Sequence, residues 1–305
     1  MNLIQLLVDS LALGSQYSLV ALGIGLIFGV MRMINFAQGD LITFGAYMLV
    51  VPTVADVAPP MIAALPTPLL IAATIAVVAV AALLTERLAF RSVRRKGADG
   101  PTLLITSFAI GYFIQSVILF LHTGRPKSVS VLPELSQQIV FAGVRVALVD
   151  LVTIIASLGL LLTVGLFLNR TRGGIALRAA AEDFLMARLI GVKADRVIAV
   201  AFLVSGALAG AVTLMFVAKT GVLDFRMGVP LAIAGFVATV IGGMGSLTGA
   251  VLGGFALGLA STLLQSLLPP DLRPARDAFL YGLVILVLLV RPQGLFVFGP
   301  GRERV

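Results

Sequence analysis

Hydrophobic positions in this chain come in long unbroken runs separated by short polar breaks. They lack both the alternation of a half-buried strand and the narrow apolar stripe of a surface helix. The runs are Leu6–Val30, Leu41–Val57, Leu65–Leu84, Thr102–Leu121, Leu148–Leu168, Val197–Val217, Leu231–Ile241, Ala250–Leu268 and Phe279–Val290. About 20 apolar residues carry a helix across a bilayer, so the pattern predicts an all-α, polytopic transmembrane helical bundle of eight or nine spans. Two runs leave the number open. Leu231–Ile241 is short and ends in Gly242-Gly243, and Leu41–Val57 is cut by Pro52. Either could re-enter the membrane instead of crossing it.

Composition narrows the class. The 305 residues are 59% hydrophobic and 12% charged, with a mean hydropathy of +1.10. A soluble domain carries roughly a quarter charged residues, so the surplus apolar surface must face lipid. The runs are too long for a barrel of alternating strands. With no cysteine, thiolate chemistry and disulfides are excluded, and His122 is the single histidine. No Lys or Arg precedes the first run, so a cleavable leader is not expected.

The formal charge of +8 does not point to nucleic acid, because the basic residues are not interleaved with aromatics. They cluster between spans, at Arg32, Arg87–Gly100, Asn169–Arg196 and the tail beyond Arg291. Nine crossings place all four clusters on one side. The positive-inside rule makes that side the cytoplasm, with the amino terminus outside and the carboxyl terminus inside. The chain therefore reads as one membrane domain over 1–305, with a cytoplasmic segment at about 169–196.

Glycines recur at four-residue spacing within the runs: Gly25 and Gly29, Gly206 and Gly210, then Gly245, Gly249 and Gly253. Small residues so spaced let helix backbones approach closely in lipid.

No ionisable side chain is expected inside a span; Asp9, Asp40, Asp150 and Asp277 all fall at run ends. Such a group would mark a proton or ion pathway. The chain also lacks the G-x-x-x-x-G-K-[ST] phosphate loop, its Lys219-Thr220 pair following Ala218 instead of glycine. A pump built on this chain must therefore draw on an ATPase made by another subunit. No cofactor is expected on the chain itself.

The place for such a partner to act is the segment from Arg172 to Gly191. Gly173-Gly174 should break the incoming chain, and the alanine-rich stretch after it favours helix. Leu177, Ala181, Phe184, Leu185, Arg188 and Leu189 share a face, Arg178 and Glu182 lie one turn apart, and Gly191 suits a helix stop. The segment is either a helix that couples a soluble motor to the spans or an interfacial helix with a solvated face.

Here the sequence resembles a known family. Arg178-Ala-Ala-Ala-Glu182-Asp183, followed by Gly191-Val-Lys-Ala-Asp195-Arg196, is similar to the cytoplasmic loop of LivH-type permeases of branched-chain amino acid ABC importers. Ile34-Asn35-Phe36-Ala37-Gln38-Gly39, Glu86-Arg87-Leu-Ala-Phe-Arg91, Gly242-Gly243-Met-Gly245-Ser246-Leu-Thr-Gly249 and Val290-Arg-Pro-Gln-Gly294 resemble further family motifs in order along nearly the whole chain. The resemblance implies a multi-pass subunit of the bacterial cytoplasmic (inner) membrane. It would pair with a second, LivM-like permease, two ABC ATPase subunits that use ATP, and an extracytoplasmic binding protein. Arg178, Glu182, Asp183, Leu185 and Gly191 would form the ATPase-coupling element. It also implies a histidine where this chain has Gln38, so a proton-dependent role at that position cannot operate here.

Candidate residues for the translocation path are Asn35 and Gln38, beside an interrupted span, and Ser107 and Gln115, which share a stripe with Gly111. Polar stripes such as that of Ser107 and Gln115 are more often helix–helix contacts, Asn35 and Gln38 more often satisfied turn residues than ligands, and His122 reads as an interfacial residue. Asn35–Asp40 and Gly242–Gly249 do not match in the two halves, so no inverted repeat is expected. Competing readings are a related ABC permease for urea, amides or a sugar, and a stand-alone channel or carrier. A membrane enzyme would need clustered acid–base or metal-binding side chains that the runs do not offer.

Overall fold

Runs that are apolar on every face must satisfy their backbone within themselves, and the helix does so. The computed structural model describes residues 3–141 and 144–296. In chain order the helices are α1 (Leu3–Met31), α2 (Ala37–Tyr47) and α3 (Thr67–Thr85), the last running through a π-helical turn (Glu86–Phe90) into α4 (Arg91–Arg95). There follow α5 (Gly100–His122), α6 (Leu148–Arg170), α7 (Arg172–Glu182), α8 (Phe184–Leu189), α9 (Ala194–Thr220), α10 (Gly228–Gly242), α11 (Leu247–Leu267) and α12 (Arg276–Val290). Two antiparallel ribbons depart from the all-helical expectation: β1 (Lys127–Ser128) pairs with β4 (Val222–Leu223), and β2 (Gln138–Phe141) with β3 (Val144–Ala147).

Among the described residues, six helices are long and apolar enough to cross a membrane: Ile4–Met31, Thr67–Arg95, Gly100–His122, Leu148–Arg170, Ala194–Thr220 and Leu247–Leu267. The three other predicted spans fold short. The run Leu41–Val57 contributes only the 11 residues of α2, while α10 and α12 have 15 each. At 1.5 Å per residue these reach about 17 to 23 Å, less than a hydrocarbon core of about 30 Å.

The two internal short helices are explained by an inverted repeat, which corrects the sequence reading. α1 ends beside α7, where Arg32 donates to the Ala181 carbonyl at 3.0 Å. α9 runs oppositely, from an ion pair with α4 to the Lys219–Asp150 pair at the far end. α2 and α10 follow α1 and α9 respectively, and each starts inside the bundle. Asn35-Phe-Ala-Gln-Gly39 and Asp224-Phe-Arg-Met-Gly228 occupy equivalent lead-in turns. In both, the first side chain accepts from the backbone N–H two residues on: Ala37 to Asn35 Oδ1 at 3.2 Å, and Arg226 to Asp224 Oδ1 at 2.8 Å.

The two copies meet at Gly39 and Gly228. A Cβ on Gly39 would stand 2.5 Å from the Gly228 oxygen, and one on Gly228 1.9 Å from the Gly39 oxygen. On either side the long helices zip in equivalent pairs. Gly206 and Gly210 of α9 press on α3 at Ala79 and Ile75, and Gly254 and Gly258 of α11 press on α1 at Ser18 and Gly14. Four-residue glycine spacing thus serves backbone contact. The segment equivalent to Asn35–Asp40 is thus Asp224–Val229 and not Gly242–Gly249.

Candidate coupling and transport site

At the basic end, α7 lies under α1 and α6. The Thr171 hydroxyl caps it by accepting from Gly174 N at 3.0 Å. Gly173 and Gly174 therefore do not break the chain; they form the first turn of α7. A Cβ on Gly174 would be 2.1 Å from the Phe167 oxygen, so that glycine allows α7 to fold back against the end of α6.

The expected single helix up to Gly191 is two helices. Asp183 adopts an extended conformation (φ −145°, ψ 102°), and its Oδ1 accepts from Met186 N at 3.0 Å, which starts α8. Arg178 is exposed on α7 and donates to Asn169 Oδ1. Glu182 ends α7, Leu185 lies within α8, and Gly191 turns at φ +91° toward α9. Leu177 is fully buried against the bundle, while Met186, Leu189 and Ile190 project apolar surface outward.

Arg178 and Glu182 border an open cavity of about 1020 Å³ whose far wall includes Gly245 and Thr248. Two motifs distant in sequence thereby share one recess at the basic end of the bundle. Beside it, Gly294 (φ +95°) packs on Gly243, and Leu295 N donates to the Ile241 oxygen at 2.7 Å.

The basic stretch expected as a loop after α3 is helical, and an ion-pair bracket ties it to α9. Glu86, buried in the π-helical turn, accepts from Arg94 at 3.1 Å; Arg94 also reaches Asp195 at 3.0 Å, and Arg91 meets Asp195 at 2.7 Å. Phe90 packs on Phe202 of α9 just inside the bracket, ring centroids 5.2 Å apart. No local pattern pairs the two motifs, because 101 residues separate Arg94 from Asp195.

The path candidates collect around α2. Asn35 is buried; its oxygen holds the lead-in turn and its Nδ2 has no partner among the described residues. Gln38 Nε2 donates to the Ser205 carbonyl at 3.0 Å. Its Oε1 lies 2.9 Å from Ser205 Oγ, which is equally close to the Gly23 carbonyl. Gln38 thus ties α2 to α9 and α1. Ser107 Oγ accepts from Phe36 N at 3.3 Å, and Gln115 Nε2 donates to Asp40 Oδ1 at 2.7 Å.

One expectation fails here. Asp40 does not lie at a membrane face: it contacts Gly111, the central residue of α5, and is 6% exposed. The reason is that α2 begins inside the bundle, so a residue near the start of an apolar run sits deep. His122 closes α5, at a span end as expected, and is buried there edge-on to Tyr47, ring centroids 4.8 Å apart. Ser205 and Asp40 were missed, although Asp40 directly follows the quoted Gln38-Gly39 motif.

Comparison with known proteins gives one consistent answer. Residues 6–289 match the family described as the permease component of the branched-chain amino acid transport system. The chain is 31% identical to the high-affinity branched-chain amino acid transport system permease protein BraD of Pseudomonas aeruginosa, over 96% of this chain and 95% of that one. It is also 31% identical to LivH of Escherichia coli, a permease protein of the same kind of system, with 96% and 94% coverage. A partial match, 34% identical over 136 residues and 44% of this chain, is to the autoinducer 2 import system permease protein LsrC of Klebsiella pneumoniae. The match spans the half-helices, the zipped pairs and the α7–α8 segment alike, and on it the chain belongs to the permease-component family of branched-chain amino acid transport systems.

Proposed function

We propose that this chain is the membrane-spanning permease subunit of an ATP-driven importer of branched-chain amino acids in a bacterial inner membrane. Its basic end, carrying α4 and α7–α8, faces the cytoplasm, where two ATPase subunits engage it. A second, similar permease lies beside it, and an extracytoplasmic binding protein delivers the solute to the opposite end.

The observation that carries this reading is α8. Met186, Leu189 and Ile190 form an exposed apolar surface that is flanked by charge and reached through a capped turn at Asp183. A surface of this kind marks a protein contact. Its outlets are α7, packed on α1 and α6, and Gly191, leading into α9, so a push on α8 reaches three spans. Asp183 and Gly191 set the shape of the element, Leu185 belongs to α8, and Arg178 and Glu182 face the adjoining recess.

The test is reconstitution. Vesicles containing the two permeases, the ATPase pair and the binding protein are expected to accumulate radiolabelled leucine when ATP is present on the cytoplasmic side. Vesicles containing this chain alone should not. Uphill accumulation by the isolated chain would overturn the proposal.

A further inference from the structure

A carboxylate stands at the middle of the membrane with no cation beside it. α5 is 23 residues long, and Gly111 is equidistant from its ends. A Cβ at Gly111 would lie 2.1 Å from Asp40 Oδ2, so the Asp40 carboxyl occupies this central level. Its Oδ1 is held by Gln115; Oδ2 accepts no hydrogen bond from the described residues. The ion pairs among those residues lie toward the two ends of the bundle, in the Glu86–Asp195 bracket and at Asp150–Lys219 and Arg276–Asp277, and none includes Asp40. A lone ionised carboxyl at this depth is costly, and one that persists is a sign of function.

The fold does not need the charge. In the inverted copy the residue equivalent to Asp40 is Val229, and Gln38 is matched by Met227. The same crossing geometry is thus built without either polar side chain.

Gln115 and the neighbours of Gly111 reach an exposed edge of α5. Tyr112, adjacent to the central residue of α5, is 74% exposed, and Ser116 and the half-buried Gln115 continue that edge. Tyrosine favours membrane interfaces, and a hydroxyl facing hydrocarbon at mid-depth would lack a partner. With the exposed Ile105 and Phe108 on the same edge, this is an apolar face carrying polar groups at mid-depth, the kind of surface that suits a second membrane protein.

We propose that Asp40, oriented by Gln115, receives the ammonium group of the zwitterionic amino acid as it passes the membrane centre, along the surface where α5 meets the second permease. The inference rests on the transport reading above. A zwitterion carries one cation that no group on this face supplies, and binding at the midplane beside a broken helix is a general transporter arrangement. Asp40 is thus a positioning contact for the cargo.

The test compares the complete reconstituted complex with its Asp40→Asn and Asp40→Glu forms, reading leucine moved per ATP hydrolysed. Asparagine keeps the size and the oxygen that Gln115 binds, and removes the charge. Loss of a charge-assisted bond predicts a fall of roughly tenfold or more in that ratio, with partial recovery in the glutamate form. A wild-type ratio in Asp40→Asn overturns the inference and leaves the importer reading intact. A wild-type complex that moves no leucine overturns both.

Should the asparagine form fail to assemble, carbodiimide labelling of Asp40 in the unmodified complex decides the matter. Label is expected with unloaded binding protein and ATP, and should drop severalfold when the binding protein carries leucine. Equal labelling in the two states, or none in either, overturns the inference; the latter would mean that a fixed partner from the second permease covers the carboxyl.

Discussion

Glycine and glutamine at the crossing of α2 and α10 do different work. Gly39 and Gly228 touch through their backbones, and neither has room for a methyl group. Gly228→Ala must push the half-helices apart, and overpacking of this sort costs about 1–3 kcal/mol. Gly159 in α6 has open space where its Cβ would be, so Gly159→Ala should be neutral or stabilising by up to about 1 kcal/mol. Thermal unfolding of the purified complex should show a clear drop for the first substitution and none for the second. Gln38 stands where relatives were expected to carry histidine. Its paired bonds to Ser205 and its burial give the position a tie between helices that needs no titration.

Helices α3–α4 and α9 move as a pair if the bracket at their basic ends holds. Its parts are unequal. Glu86 is 1% exposed, whereas Asp195 is 41% exposed at its side chain. Removing Glu86 leaves Arg94 without its buried partner, a loss on the order of 3 kcal/mol. Solvent screening holds the Asp195 contacts to about 1 kcal/mol or less. Glu86→Ala is therefore expected to lower the unfolding temperature markedly or prevent assembly, and Asp195→Asn to shift it little. Because Asp195 opens α9 just after Gly191, Asp195→Asn should still lower the leucine moved per ATP severalfold. An unchanged ratio would show that α9 needs no tie to α4 to follow the motor.

Considered as a unit, the chain is two zipped pairs, α1–α11 and α3–α9, with two half-helices crossing between them. This arrangement lets the chain place polar backbone ends near the membrane centre without exposing them to lipid. The absence of cysteine makes its sidedness directly measurable. Lys96→Cys, at the basic end, should react with a membrane-impermeant thiol reagent only in inside-out vesicles. Val54→Cys, exposed at the opposite end, should react in intact cells. The reverse pattern would invert the proposed orientation and move α8 away from any cytoplasmic motor.

Local composition and order were enough to read a helical membrane protein, the family, the segment that carries α7 and α8, and the long spans. Those follow from apolar runs, clustered charge and motifs that are continuous along the chain. The break at Asp183 was also local, yet the alanine-rich propensity before it masked an aspartate able to cap a second helix. What lay beyond reach depended on depth and on partners far apart in sequence. Hydropathy locates a residue within its run, and α2 starts inside the bundle, so Asp40 read as peripheral when it is central. The pairing of Glu86 with Arg94 and Asp195, of Gln38 with Ser205, and of Gly39 with Gly228 arises from helices brought together by packing. No periodicity along a single run carries that information, because lipid-facing and helix-facing positions are apolar alike.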